Sequence, residues 1–580
     1  MYRPMFEEVK DSVNTGDYIL ARQLLKKLPE EAKDFAEYWI LNAAIYSAEN
    51  LPEHAYICIS AGISCAPDNY ELYFMLGNYY AGLKANQAWL CYEQALLYCT
   101  DENDRQFIIN EMDCLKQTGL VIVQPVSFVI LSYNAMDMMK ECIETIRETM
   151  LKDTYEIVVV DNASTDGIRD WLQSQQDIVL ICNNENSGFA KGCNQGIHAA
   201  NSSHDVLLLN NDTLLTPNAV FWLRMGLYEK EDVGVTGPLS NYATNQTVVI
   251  PDQTLRGYME YARKIQIPEQ NPYENKFWLS GFAMLIKRTA LNEVGLLDEN
   301  YAFANYEDSD YGIRMVKAGY KQFLCHNSFI FHWGSVSQKK HPDKYRESME
   351  KNGQYFKDKW GFNLAYYSNV RSELIHYINA EKEDAISVLE IGCGCGATLS
   401  HIKYLYPNAS VHGVELMENV ADLGRYMADV INGDIESMIL PYDANQFDYM
   451  IMGDVLEHLR DPEDAIRRLK KFLKPGGKII ASIPNLMHIS VIAPLLQGDF
   501  TYQDEGLLDR THIHFFTKNE IIRMFSRLDF HVANIAATLC NTEENKVDED
   551  FKNAILALPQ IADKEQFRIY QYLVVAEQNS

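Results

Sequence analysis

Two strand-to-turn segments of different chemistry, some 200 residues apart, constrain this chain more than any other feature. The later one, VLEIGCGCG from Val388 to Gly396, is a short apolar strand entering a turn whose Gly392, Gly394 and Gly396 let backbone approach a ligand closely. The earlier one, IVVVDNASTDG from Ile157 to Gly167, is a strand ending in an acid, as strands do at a sheet edge where nucleotides bind. Two cofactor chemistries in one polypeptide follow. A chain of 580 residues exceeds what one hydrophobic core organises, and we expect three domains.

Composition narrows the class. With 47% apolar and 23% charged residues, no segment is forced into disorder. A formal charge of −29 argues against a nucleic-acid binder, whose affinity rests on clustered Lys and Arg. The 12 cysteines are scattered; Cys393 and Cys395 lack the second pair a structural zinc site needs, so reduced thiols and a cytoplasmic location are expected. The start MYRPMFEEVK has no apolar leader, and runs such as Val206 to Leu209 are too short to span a bilayer.

Residues 1–120 carry almost no strand signal and repeat at an offset of about 34 residues, the tetratricopeptide period. Trp39, Ala43, Tyr46, Ala55, Gly62 and Pro67 fit one copy; Tyr73, Leu76, Gly77, Tyr80, Ala88, Tyr92 and Ala95 fit the next. Small residues there let paired helices approach, and aromatics fill the groove between them. An unspecialised helical extension is the alternative; either way the expected role is packing, protein interaction or self-association.

From Pro125 strands alternate with helices: strands at Val126–Leu131, Glu156–Val160, Ile178–Asn183 and Val206–Leu209, with helices at Met136–Met150, Ile168–Gln175 and Gly192–Ala200. This alternation predicts a mostly parallel, helix-covered sheet over residues 121–340. Residues 341–384 read as a helical linker. From 385 to 580 the alternation resumes, with strands expected at Ser387–Ile391, Ser410–Val414, Phe447–Met452, Lys478–Ile483 and Tyr570–Ala576. The fold class expected is therefore an all-α repeat followed by two α/β domains.

The motifs VSFVILSYN (Val126–Asn134), VVVDNASTDG (Val158–Gly167), NENSGFAKGCNQGI (Asn184–Ile197), LLLNNDT (Leu207–Thr213), WLSGFAMLIKRTAL (Trp278–Leu291), YEDSDYGIRMVKAGY (Tyr306–Tyr320) and FHWGS (Phe331–Ser335) occur in the order that resembles inverting family 2 glycosyltransferases of the GT-A fold, including rhamnosyltransferase-like members. The resemblance implies a nucleotide-sugar donor, a glycan or glycoprotein acceptor, and Mg2+ or Mn2+. It implies Asp212 and His332 as metal ligands, with Asn210 standing where the family usually has a first acid. Ser132, Asn134, Asp161, Asn186, Gly188, Asn194 and Asn211 are implied around the donor nucleotide, and Trp278, Gly281 and Glu307 around the sugar or acceptor. Asp308 is implied as the carboxylate that takes the acceptor hydroxyl's proton. The structural alternatives are a strand-end cap for Asp161, acids complementing a helix N-terminus for Glu307, Asp308 and Asp310, and a core turn for residues 278–281.

In the last domain, E-x-G-x-G-x-G from Glu390 to Gly396, an acid closing VHGVE at Glu415, NGDIE with Asp434 and Ile435, and GDVLEHLRDP from Gly453 resemble class I S-adenosylmethionine-dependent methyltransferases. The spacing differs from the dinucleotide G-x-G-x-x-G. The resemblance implies S-adenosylmethionine held by Glu390, Gly392, Gly394, Gly396, Glu415, Asp434, Ile435 and Asp454. Displacement at an already activated methyl calls for positioning and no metal. DRTHIHFF at Asp509–Phe516 resembles a motif of sugar-directed relatives, with His512, His514 or His458 as base and His512 preferred. A bifunctional enzyme that adds a sugar and O-methylates a glycan, in bacterial flagellin or cell-surface glycan assembly, is the expectation. The alternatives are a glycosyltransferase with a silent cofactor-binding domain, or a non-catalytic repeat-based adaptor.

Overall fold

A computed structural model describes residues 2–334, 342–544, 547–559 and 563–579. Ser335, the last residue of FHWGS, lies outside the described residues. The chain forms two compact units, Met1–Phe356 and Lys357–Ser580. Among the described residues, no helix is long and apolar enough to cross a membrane.

The first unit opens with α-helices at Arg3–Asn14, Tyr18–Lys27, Ala36–Ala48, Pro52–Cys65, Tyr70–Ala81, Ala85–Tyr98 and Glu102–Gln117. The small positions behave as their spacing predicts: a Cβ on Gly77 would lie 2.4 Å from the Tyr92 ring, and one on Gly62 2.6 Å from Leu72. The helix Ala85–Tyr98 is buried along most of its length because it also packs against the helix Ala219–Leu227 of the following α/β region. There Glu93 and Arg224 form a buried ion pair, and Gln94 Nε2 and Tyr98 Oη both donate to Asn218 Oδ1 at 2.7 Å.

The α/β region of this unit holds strands β1 (Val126–Ser132), β2 (Tyr155–Asp161), β3 (Ile178–Cys182), β4 (Asp205–Asn210), β5 (Thr213–Leu215), β6 (Val233–Leu239), β7 (Tyr273–Asn275), β8 (Ala283–Ile286) and β9 (Lys321–His332). Their order is β3-β2-β1-β4-β8-β6-β9-β5, with β7 on β9. Strands β1 to β4 pair in parallel as expected, and so do β6 and β9. The remaining pairings are antiparallel: β8 with β4 and β6, β5 and β7 with β9. The sheet is thus mixed, not mostly parallel. Strands β5, β7 and β8 have only 3, 3 and 4 residues, too few to leave a readable period in the sequence. The helix Phe189–Ala199 lies flush on β1, since a Cβ on Gly192 would sit 2.3 Å from Leu131 and one on Gly196 2.4 Å from Val129.

The second unit orders β10 (Ser387–Ile391), β11 (Ser410–Glu415), β12 (Asp429–Asn432), β13 (Phe447–Gly453), β14 (Leu473–Pro484), β15 (Phe530–Leu539) and β16 (Ile569–Gln578) as β12-β11-β10-β13-β14-β16-β15. All pairs are parallel except those made by β16. The expected strands are present; β12 and β15 are additional. PGGK at Pro475–Lys478, whose composition is that of a turn, lies inside β14, where the register jumps from Phe447↔Leu473 to Tyr449↔Lys478 and absorbs the glycines as a bulge.

Candidate active sites

The carboxyl edge of the first sheet gathers residues far apart in sequence. Antiparallel pairing sets Thr213 opposite His332, which brings the side chains of Asp212 and His332 together. His332 Nδ1 lies 2.6 Å from the Tyr242 carbonyl, an acceptor only, so it carries the ring proton. The bare Nε2 then faces Asp212 Oδ1 at 3.1 Å and the Asn210 amide at 3.3 Å. Two lone-pair donors held face to face, the imidazole fixed from behind by a carbonyl, fit a divalent cation between or beside them. Asn211 also sits at this edge, its buried Nδ2 without a hydrogen-bond partner among the described residues.

Residues 280–282 join this pair to the acids of the next helix. The Phe282 ring stacks on His332 at 5.1 Å, and the Phe282 carbonyl accepts from Asn210 N–H. One residue earlier, Gly281 N–H donates to Asp308 Oδ2 at 3.0 Å, while Ser309 N–H donates to its Oδ1 at 2.7 Å. Asp308 begins the second residue of the helix Glu307–Lys317 and is held above the usual aspartate range by burial, which outweighs those donated bonds. Neighbouring Glu307 is 4% exposed, with Oε2 lacking a hydrogen-bond partner among the described residues, and burial followed by the charge of Asp308 raises its pKa well above normal. Asp310 differs: it is fully buried and paired with Arg314 at 2.9 Å, a brace within the helix. Trp278 packs against the same helix, where a Cβ on Gly312 would meet its Cβ at 2.6 Å.

The residues expected around the nucleotide form two groups. Ser132 and Asp161 are register partners at the ends of β1 and β2, and Ser132 Oγ is buried without a partner. The Asn134 side chain accepts from Thr165 N–H at 2.7 Å, tying the two strand ends together. Asp161 is fully buried and takes Arg169 Nε at 2.6 Å, a partner eight residues on that no motif spacing announces. Asn186 accepts from Asn162 Nδ2 and from Gly188 N–H, both at 3.0 Å, and so shapes the loop before the helix Phe189–Ala199. Asn194 faces the other way: its amide donates to the Leu297 carbonyl and Glu299 and accepts from Leu297 N–H. With both amide hydrogens donated and 2% exposure, it braces the 297–299 segment.

In the second unit Gly392, Gly394 and Gly396 have φ of 71°, 53° and 77°, the left-handed region that side chains disfavour. Gly394 N–H donates to Glu415 Oε2 and Met417 N–H to Glu415 Oε1, both at 2.9 Å, so Glu415 locks the turn to the end of β11 while each oxygen retains a free lone pair. Glu390, at 3% exposure, has Oε2 unpartnered, and desolvation pushes its carboxyl up to about 8 despite nearby Arg371. Such a group fits an ammonium ligand, which would supply the missing charge. Asp434 is exposed and caps its own turn through Glu436 N–H, with Ile435 buried behind it. Asp454 is tied into a network with Arg371 at 2.9 Å, Ser482 at 2.7 Å and Gln571 at 2.8 Å.

The segment read from sequence as linker contributes directly. A Cβ on Gly394 would lie 2.4 Å from the Tyr367 carbonyl, which also accepts from Cys395 N–H at 2.8 Å. At the far side of the edge, His512 is buried beside Glu457, and its ring stands 4.7 Å from that of His458. His514 Nε2 donates to the Arg460 carbonyl at 3.1 Å. Phe500, Tyr502 and Phe515 form an aromatic group next to His512, with Phe500 and Tyr502 exposed.

Comparison with known proteins places a family on each unit. Residues 127–295 match the model for glycosyl transferase family 2, and residues 364–535 match a methyltransferase domain model. A curated relative, the demethylmenaquinone methyltransferase of Staphylococcus aureus, is 27% identical over 162 residues; the match covers 24% of this chain and 66% of that protein, just under two thirds of its length. Among solved structures, a mannosyltransferase from Pyrobaculum calidifontis in complex with GDP-Man and Mn2+ is 20% identical, covering 36% of this chain and 57% of that one, with a TM-score of 0.28. A SAM-dependent methyltransferase from Archaeoglobus fulgidus is 19% identical, covering 39% and 98%, with a TM-score of 0.28.

Proposed function

Because the chain carries a family 2 glycosyltransferase domain and, in its second unit, a methyltransferase domain, we propose that it is a bifunctional enzyme that transfers a sugar with inversion from a nucleotide-sugar donor and O-methylates a glycan. The observation that carries this reading is that each sheet ends in its own assembled acid-lined edge: Asp212, His332 and Asp308 around residues 281–282, and Glu390 and Glu415 around three left-handed glycines. The glycan is of the bacterial flagellin or cell-surface class, on the strength of the resemblance in the motif order alone.

In sugar transfer Asp308 accepts the acceptor hydroxyl's proton as that oxygen bonds to the anomeric carbon and the nucleoside diphosphate departs with the electrons of the broken bond. Gly281 and Ser309 N–H groups hold the carboxylate in place for this. Asp212 and His332 would hold a Mg2+ or Mn2+ ion, which would neutralise the charge of the leaving diphosphate. Ser132, Asn134, Asp161, Asn186, Gly188 and Asn211 form the nucleotide side, and Trp278, Gly281 and Glu307 the sugar side.

In methyl transfer the glycine turn would take the methionine portion of S-adenosylmethionine, Glu390 its ammonium, Glu415 the ribose hydroxyls, and Asp434 and Ile435 the adenine. Asp454 is a positioning residue through Arg371 and Ser482. The acceptor sugar lies at the His512 edge, where the exposed faces of Phe500 and Tyr502 suit the C–H face of a pyranose. The N-terminal helices, read as tetratricopeptide-like, serve a protein acceptor or self-association on the faces left free by their packing against the glycosyltransferase region.

The test is mass spectrometry of acceptor extracts incubated with the full chain and a panel of nucleotide sugars, with and without S-adenosylmethionine. Asp212→Ala and Asp308→Ala should abolish the sugar mass increment and Glu415→Ala the methyl increment. Increments unaffected by these substitutions would refute the assignment.

A further inference from the structure

We propose that Glu457, His458 and His512 form a binding site for a borderline divalent transition cation of the zinc type, in the second unit and separate from the glycosyltransferase metal position. One donor atom from each residue lies within 4.8 Å of the other two. Three features make this more than proximity.

First, Glu457 is fully buried and, among the described residues, neither of its carboxylate oxygens has a hydrogen-bond partner. An isolated buried carboxylate is costly, and a cation is what would compensate it. Second, both imidazoles are oriented from behind. His512 Nδ1 lies 3.1 Å from the Leu507 carbonyl; His458 Nδ1 lies 3.3 Å from the Thr511 carbonyl and 3.1 Å from the Thr511 hydroxyl, whose own proton is donated to Asp509. A carbonyl only accepts, so each Nδ1 carries the proton and each Nε2 keeps a bare lone pair. His512 Nε2 then faces a Glu457 oxygen at 3.9 Å, lone pair toward lone pair, an arrangement that a cation would make favourable. Third, the backbone holds the three residues in register: the Glu457 carbonyl accepts from Ile513 N–H at 2.9 Å and His514 N–H at 3.1 Å, pinning the 512–514 segment beside the turn that follows β13.

Two imidazole nitrogens and one carboxylate suit zinc and its neighbours, whereas Mg2+ and Ca2+ prefer oxygen donors throughout. Three protein ligands leave a coordination position open, as in catalytic rather than closed structural zinc sites. The site follows Asp454 by three residues, and Val455 touches Gly392 of the glycine turn, so it lies beside the cofactor edge. His512 and His458 thus serve as ligands, which replaces the role of free base given to His512 by the sequence. The cation is proposed whether or not the domain methylates a sugar, and its test does not depend on that reaction.

The untagged full chain, stripped with chelator and supplied with Zn2+ alone, should retain one zinc per chain after gel filtration in the Asp212→Ala/His332→Ala background, which removes the glycosyltransferase position. Adding Glu457→Gln and His512→Ala should weaken that binding by more than about 100-fold. Co2+ in place of Zn2+ should give ligand-field bands in the visible that these substitutions abolish. Zinc stoichiometry unchanged by Glu457→Gln/His512→Ala, or no zinc retained in the background chain, would overturn the site. Binding of S-adenosylmethionine by each variant reports the fold of the unit independently. If the double variant loses it, His458→Gln becomes the deciding arm, and an unaltered Co2+ spectrum there sinks the proposal.

Discussion

Glu390→Gln should stabilise the second unit at neutral pH while weakening its hold on S-adenosylmethionine. Glu390 is buried with one oxygen unpartnered, and burial raises its folded-state pKa from 4.5 to about 8. Below the unfolded pKa both states are protonated and the native carboxyl costs nothing. As pH rises between the two values the unfolded chain releases its proton and the folded chain does not, so stability falls with pH. At about pH 7 the interval from 4.5 corresponds to a loss of about 3 kcal/mol, at about 1.36 kcal/mol per unit. Glutamine mimics the neutral acid and has no such loss. The stability gap between variant and native should therefore open from near zero at acid pH to about 3 kcal/mol at neutrality. Hydrogen exchange of β10 peptides in the full chain, followed against urea at acid and neutral pH, measures it locally. A cofactor ammonium reverses the sign, because a charge-assisted hydrogen bond worth about 1.5–3 kcal/mol is lost in the variant, an affinity drop of about 10- to 100-fold by calorimetry. A variant no more stable than native at neutral pH, or equally stabilised at both pH values, would show that desolvation does not govern this carboxyl.

Asp308→Asn should lower kcat for sugar transfer by about 10²- to 10⁴-fold. In the native enzyme the acid limb of the rate profile should lie above the ordinary aspartate value, since burial raises this pKa and only the deprotonated form accepts a proton. Arg224→Met leaves Glu93 buried and unpaired between the helical layer and the first sheet, and should cost about 3–5 kcal/mol in urea unfolding of the first unit. Adding Glu93→Leu should recover most of that loss, and failure to recover would locate the cost outside the pair. Gly394→Ala must place a methyl 2.4 Å from the Tyr367 carbonyl at a φ of 53°, so it should cost about 1–3 kcal/mol and impair cofactor binding, with donor-sugar hydrolysis unchanged. His332→Ala should raise the concentration of Mn2+ needed for half-maximal sugar transfer, read from a metal titration at fixed donor.

What the sequence disclosed on its own is what local chemistry fixes. Alternating apolar runs located β1 to β4 and five of the seven strands of the second sheet. Glycines spaced in Glu390–Gly396 marked a turn where backbone can approach a ligand, and all three take a left-handed φ; small residues at repeat spacing foretold the close approach of Gly77 to Tyr92. These depend on neighbours along the chain, and a period or a φ requirement is written there.

Partnership across the chain is written nowhere so plainly. Asp212 meets His332 because β5 runs antiparallel to β9, and short strands carry too few residues to announce that register. Arg169 on Asp161, the inward bracing of Asn194, and the reach of Tyr367 over Gly394 from a stretch that read as linker all follow from topology. So does the convergence of Glu457, His458 and His512, whose lone pairs face one another only once the 512–514 segment is pinned beside β13. The amino-acid order specified which groups can carry charge or a proton; the folded chain decided which of them lose water together, and that shared desolvation is what turns ordinary carboxylates and imidazoles into sites.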